Sequence, residues 1–300
     1  VTTIGFIGLG AMGRPMLNCL LRAGHEVLAY DLSPAAVERA VGDGATAVAS
    51  AAEAAAGSEL AFTMLPRAQD VLAAVLGPDG VASGIRPGSV LLDTSTIDVG
   101  TVRSLEAPLA AVGAILLEGG VSGSPKLAGQ CGVTFMVGGP EDVVGRFRPV
   151  FEAFAATIVY AGPLGAAKTM KLANNMVAAI LTAALAEAFT LITANGADPV
   201  VAKRAMEGSW AKSLLLDLKP PLPGLVPDSV ADRGYEAEFS IDYMAKDLEA
   251  VLESARQAGV VLMTAGLVRQ LFVAAGARGD GSLDVSGLIR TTRGFGRTTG

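Results

Sequence analysis

Two groups of residues in this chain have the types and spacing to do chemistry. The first is Lys171 with Asn175, four positions apart in an apolar segment that reads as helix, so the two share one face. An ammonium beside an amide can hold a hydroxyl or carbonyl oxygen and carry one proton. Burial and a nearby positive ring both favour the neutral amine, which makes such a lysine a usable base near neutral pH. Lys168, one turn earlier, is expected to face solvent. The second group is Gly8-Leu9-Gly10-Ala11-Met12-Gly13, a G-x-G-x-x-G run between a strand signal and a helical segment. Gly8 suits a tight turn, Gly10 lets the backbone approach a pyrophosphate, and Gly13 lets the helix pack closely on the strand. The free N–H groups of that helix would face the phosphates.

Asp31 ends the next strand signal, 18 positions after Gly13. A carboxylate there accepts both ribose hydroxyls of an adenosine and repels a 2′-phosphate. Leu32-Ser33-Pro34 follow and bring no arginine, so NAD is favoured over NADP. Met64-Leu65-Pro66 and Asp93-Thr94-Ser95-Thr96 each follow a strand signal. In an open α/β sheet they would lie at carboxyl ends of strands, where ligands bind, and they are candidate walls of a nicotinamide pocket. Gly119-Gly120-Val121-Ser122-Gly123-Ser124-Pro125 reads as a loop whose backbone N–H groups and two hydroxyls suit a carboxylate. A plain Gly/Ser turn is the competing reading. For Lys246-Asp247 a surface ion pair is the default.

These residues need elements to position them. From Val1 to about Tyr160, short apolar runs alternate with amphipathic segments, the pattern of an α/β doubly wound sheet. Strands are expected at 3–7, 26–30, 60–64, 90–93, 114–117, 133–137 and 157–160. Helices are expected at 12–23, 34–41, 50–56, 68–76, 99–112 and 141–154. After Gly162-Pro163 the pattern changes. Residues 165–194 read as one long helix stopped by Asn195-Gly196. Further helices follow at 198–208, 241–258, 263–275 and 283–289, with a Pro-rich loop at 220–227 and no convincing strand. A Rossmann-type domain at 1–162 and an all-helical domain at 163–300 are therefore expected.

Composition narrows the function. Only 17% of residues are charged and the net charge is -6, with no basic cluster, which argues against nucleic acid as partner. Leu172–Ile192 is apolar enough to raise a membrane span, but Asn174, Asn175 and Glu187 would be costly there, so a buried helix is expected. No signal peptide is read at the start, and a cytoplasmic location is expected. Cys19 and Cys131 are too few for a disulfide framework and read as small buried apolar residues. With a single histidine, His25, no His/Cys metal site is expected, and proton transfer must use another group.

Together these motifs resemble the β-hydroxyacid dehydrogenase family, which includes the 3-hydroxyisobutyrate and 6-phosphogluconate dehydrogenases. The resemblance rests on residues 6–16 as the amino-terminal signature. Met64-Leu65-Pro66, Ser95-Thr96, Val121-Ser122-Gly123, Gly165 with Lys171 and Asn175, and Lys246-Asp247 then follow in order. It implies a Rossmann domain followed by a helical one, with the site in the cleft between them, and a homodimer or homotetramer. It implies that Lys171 is the general acid/base, aided by Asn175. Ser122 and Gly123 would grip the substrate carboxylate, with Ser124 beside them. Leu65, Pro66, Thr96 and Lys246 would contact the cofactor. The implied reaction is NAD-dependent oxidation of a small 3-hydroxy acid. The alternatives are reduction of a short semialdehyde and a catalytically silent NAD-binding scaffold. Glu118-Gly119-Gly120 departs from the family's usual Asp-Ala-Pro, which bears on the substrate side chain, and Lys126 beside this segment is expected to face water.

Overall fold

The structure, a computed structural model, describes residues 1–294; residues 295–300 of the expected second domain lie outside the described residues. Its strands are β1 (Thr3–Ile7), β2 (Glu26–Tyr30), β3 (Thr46–Ala47), β4 (Leu60–Thr63), β5 (Val90–Asp93), β6 (Ile115–Ser122), β7 (Val133–Gly138) and β8 (Ala155–Gly162). They form one sheet in the order β3-β2-β1-β4-β5-β6-β7-β8. All neighbours are parallel except β6 and β7, which run antiparallel. The chain winds outward from β1 through β2 to β3, then returns on the other side of β1 as β4. That reversal is the switch point of a Rossmann fold, and Gly8–Gly13 and Met64–Pro66 both leave strands there.

The central strands are buried on both faces, which is why they read as unbroken apolar runs rather than alternating ones. The period of two still sorts their side chains. Phe6, Phe62, Val90 and Leu92 enter one core layer, where Phe62 meets Phe154 edge-on and Phe154 meets Phe135. Ile7, Ala61 and Leu91 enter the other, under the small helix Ala51–Ala56. That helix is capped by Ser50, whose side chain accepts from the Glu53 N–H.

The chain divides into two compact units, Val1–Lys171 and the remainder from Leu172. The helix Ala166–Ala194 starts in the first unit and continues into the second. By length and composition it could cross a bilayer. Ala179, Ala183, Ala186 and Phe189, however, form a buried face in the second unit's core with Ile241, Met244 and Leu248 of helix Ile241–Gln257 and Phe272 of helix Met263–Ala275.

Several expectations need correction. Residues 119–122 are not a loop: β6 runs on to Ser122 because its second half pairs with β7, from Glu118 opposite Gly138 to Ser122 opposite Thr134. Glycines are poor strand formers by propensity, and long-range pairing overrides that. The expected helix 99–112 is two helices, Val99–Ser104 and Glu106–Ala111. The two-residue β3 and the short helices Val81–Gly84, Pro125–Gly129 and Leu214–Leu218 carry too little periodicity to read. In place of a helix at 283–289, a turn Val285–Gly287 leads into helix Leu288–Gly294. Cys19 and Cys131 are joined as a disulfide 112 positions apart, because helix Gly13–Arg22 packs against Pro125–Gly129. Arg22 lies over both sulfurs and donates to the Gly129 carbonyl at 2.8 Å.

Candidate active site

The Gly-rich turn is built for close approach. Gly8 has φ +99°, the left-handed region, and a Cβ there would run into the Met64 carbonyl. A Cβ on Gly13 would strike the Gly8 carbonyl, while one on Gly10 would meet open space. The helix Gly13–Arg22 has no side-chain cap at Met12, so no side chain of its own occupies its N-terminus; within that turn the Arg14 N–H donates to the Gly10 carbonyl at 3.2 Å and Pro15 carries no N–H. Asp31 closes the turn from β2: its Oδ2 accepts from the Leu9 N–H at 2.7 Å and its Oδ1 from the Ser33 N–H at 2.8 Å. Each carboxylate oxygen keeps lone pairs for a further donor. An anionic pyrophosphate at the uncapped helix and a ribose diol at Asp31 fit these donors and acceptors, so the residues present suit a dinucleotide. Arg14, the nearest cation in sequence, is committed to Asp43 at 2.6 Å.

Next to the turn, the Leu65 N–H donates to Ser95 Oγ at 2.9 Å, joining the two strand exits after β4 and β5. Leu65, Met64 and Thr96 are half-buried, while Pro66 and Leu32 are exposed. Ser122 ends β6 half-buried and Gly123 follows at φ +150°. Ser124 caps helix Pro125–Gly129, its Oγ accepting from the Leu127 N–H at 3.2 Å. Since Gly119–Ser122 is bonded into the sheet, the expected concavity of free N–H groups does not form over those four residues. Lys126 is exposed.

Lys171 lies on the helix Ala166–Ala194, half-buried, and packs on β6: a Cβ added to Gly120 would lie 2.5 Å from Lys171 Cβ. Asn175 is one turn on, buried, and its Nδ2 donates to Asp247 Oδ2 at 2.6 Å. Asp247 is therefore no surface residue. It is 2% exposed, binds Asn175 through one oxygen and approaches Lys246 Nζ at 2.8 Å with the other. Sequence alone put the two at the surface because adjacent unlike charges usually lie there. Helix Ile241–Gln257 instead turns Asp247 inward with Met244, Leu248 and Val251.

Lys168 overturns its expectation outright. It is fully buried, and its ammonium donates to three carbonyls: Asp93 at 2.9 Å, Ser95 at 2.6 Å and Gly119 at 2.9 Å. Its three N–H bonds are thereby used, and Asp93 Oδ2, 2.8 Å away, supplies the compensating charge. Glu118 completes the group. Its Oε1 accepts from the N–H groups of Gly165 at 2.6 Å and Ala167 at 2.9 Å, capping the long helix. Burial pushes the Glu118 carboxyl up from the usual glutamate range, opposed by the Lys168 charge and these N–H bonds. No spacing rule joins Asp93, Glu118 and Lys168, which come from three different elements. The one signal was three charged residues in otherwise apolar surroundings.

Comparison with known proteins fits this architecture. Residues 3–162 match the NAD binding domain of 6-phosphogluconate dehydrogenase, and residues 165–292 match the NAD-binding region of NADP-dependent 3-hydroxyisobutyrate dehydrogenase. The chain belongs to the β-hydroxyacid dehydrogenase family. As a member of that family it is an NAD-dependent oxidoreductase. It is 38% identical to a 3-hydroxyisobutyrate dehydrogenase of Pseudomonas aeruginosa, over 98% of this chain and 99% of that one. It is also 38% identical to an NAD-dependent L-serine dehydrogenase of the same organism, over 84% and 85%. Among solved structures, the Mycobacterium tuberculosis 3-hydroxyisobutyrate dehydrogenase with L-serine superposes with a TM-score of 0.91 at 34% identity, covering 98% and 99% of the two chains. The β-hydroxyacid dehydrogenase relatives thus span both halves of the chain, the Rossmann sheet and the helices that follow.

Proposed function

We propose that this protein oxidises the hydroxyl of a small 3-hydroxy acid, of the size of 3-hydroxyisobutyrate or serine, to the semialdehyde, with Lys171 as the proton carrier. The observation that carries the reading is the half-buried Lys171, its Cβ packed on Gly120 of β6 two residues before Ser122, one helical turn from a buried, oriented Asn175. When bound, the nicotinamide would supply the hydride acceptor. Lys171, neutral when the alcohol binds, takes the hydroxyl proton on Nζ as the C–H bond breaks. In the reverse direction its ammonium returns that proton to the forming alkoxide. Asn175, its amide fixed by Asp247, holds the reacting oxygen. Ser122 and the Gly123 backbone hold the carboxylate, with Ser124 at the edge of that subsite. Gly8 to Gly13 seat the pyrophosphate, Asp31 with Leu32 the adenosine ribose, and Met64, Leu65, Pro66, Thr96 and Lys246 contact the remainder of the cofactor.

Positioned acid/base catalysis contributes about 10²–10⁴-fold. Lys171→Ala should lose at least that in kcat while NADH still binds with unchanged affinity. Near-full turnover of that variant, followed as NADH absorbance with a panel of 3-hydroxy acids, would remove Lys171 from the mechanism. In the same reading the protein works in the cytoplasm as a homodimer or homotetramer. Val177 and Leu191 on the long helix and the fully exposed Trp210 support an apolar contact between copies. Light scattering on a sizing column reads the mass directly, and a monomer would reject the assembly.

A further inference from the structure

Three consecutive residues of β6 each grip the helix that carries Lys171. Glu118 caps its first turn through the Gly165 and Ala167 N–H groups. The Gly119 carbonyl accepts from Lys168 at 2.9 Å. Gly120 has no side chain, and the Lys171 Cβ fills the space. Lys168 is three positions before Lys171 on the same helix, and its other two carbonyl partners, Asp93 and Ser95, belong to the exit of β5. Ser95 in turn receives the Leu65 N–H at its hydroxyl. An ammonium with all three hydrogens spent on backbone oxygens, inside a fully buried site, admits one placement only. Two buried residues with opposite charges, Asp93 and Lys168, are costly as a pair, so their presence calls for a reason other than stability.

We infer that Lys168 is a positioning residue for Lys171. Its ammonium, clamped among Asp93, Ser95 and Gly119, fixes the rotation and height of the long helix on β6, and so fixes where the Lys171 amine stands along the strand that ends in Ser122. Oxidation of the alcohol needs that amine, the hydroxyl and the hydride path aligned together, and an error of about 1 Å in such an alignment costs about 10²-fold in rate. Lys168 touches no reacting atom; it acts through Lys171. The inference rests on the reading of Lys171 as proton carrier.

Removing Lys168 alone would strand the Asp93 charge, so the test uses the paired variant Lys168→Met with Asp93→Asn, which leaves neither charge and keeps the acceptor for Thr63. A second variant, Gly120→Ala, pushes Lys171 off β6 without altering any charge. Both are checked for folding by circular dichroism and for NADH binding by fluorescence. The expected result is a fall of about 10²-fold in kcat with the hydroxy-acid KM and the NADH Kd within about threefold of the parent. In a Lys171→Ala background the same changes should alter the residual rate by less than about threefold, because residues acting through one group are not additive. Equal losses in both backgrounds, or unchanged kcat in the parent, would overturn the inference. So would a rise in KM and Kd in place of the fall in kcat. If the paired variant does not fold, Lys168→Arg decides by the same criteria, since it keeps a cation beside Asp93 but cannot place its hydrogens on the same three carbonyls, and Gly120→Ala shows only what displacing Lys171 costs. A fully active Lys171→Ala enzyme would instead reject the proton carrier itself, whatever Lys168 does, so the two failures are distinguishable.

Discussion

Asp31 carries two loads, and replacing it with alanine separates them. Its carboxylate accepts the Leu9 N–H at 2.7 Å and the Ser33 N–H at 2.8 Å, tying the Gly-rich turn to the end of β2. Hydrogen bonds to a charged group contribute roughly 1.5–3 kcal/mol each. Ser33 is exposed, so its bond belongs at the low end, but Leu9 is 2% exposed and its N–H would be left without a partner. Taking the low end twice, Asp31→Ala should destabilise the nucleotide-binding unit by about 3 kcal/mol. At about 2–4 °C per kcal/mol for a unit of 150–250 residues, the melting temperature should fall by about 6–12 °C. If the same carboxylate also holds the ribose diol, the loss of that contact weakens NADH binding by a further 1.5–3 kcal/mol, about 10–100-fold. The NADPH-to-NADH preference should rise with it, since the repulsion of a 2′-phosphate is gone. Differential scanning fluorimetry and fluorescence titration with both cofactors read the two effects separately. A melting temperature within about 2 °C of the parent would refute the role assigned to the two N–H bonds. Unchanged NADH affinity and an unchanged NADPH-to-NADH ratio would refute the ribose contact.

Other parts of the structure make equally direct predictions. Opening the Cys19–Cys131 disulfide, which spans 112 positions, should cost about 5 kcal/mol by loop-closure entropy. Alkylation with and without reductant, read by intact mass, tests the bond, and two free thiols in the untreated protein isolated under oxidising conditions would refute it. Because burial raises the Glu118 pKa above 4.5, the folded chain holds a proton there that the unfolded chain releases. That group's contribution to stability therefore falls as pH rises from 4.5 through the raised value, and Glu118→Gln should flatten the melting curve over that window. A variant that tracks the parent across the window would argue against it. Asp247→Asn replaces the anionic acceptor of Asn175 with a neutral one and should lower kcat/KM about 10-fold, the difference between a charged and a neutral hydrogen bond. A change of less than about twofold would mean that Asn175 needs no such anchor.

The amino-acid sequence by itself determined the βαβ turn at Gly8–Gly13, the strands around it, the long helix and the pairing of Lys171 with Asn175 on one face. Those features are local: a turn demanding positive φ, a period of two or 3.6, and an i, i+4 spacing are written within a few residues of one another. Tertiary structure alone decided what depends on residues far apart in the chain. It extended β6 through two glycines by pairing them with β7, and it turned Asp247 inward onto Asn175. It joined Cys19 to Cys131 across 112 positions. Above all it buried Lys168, because two carbonyls from the exit of β5, one from within β6 and the Asp93 carboxylate converge there and together replace the water that a lone ammonium would require.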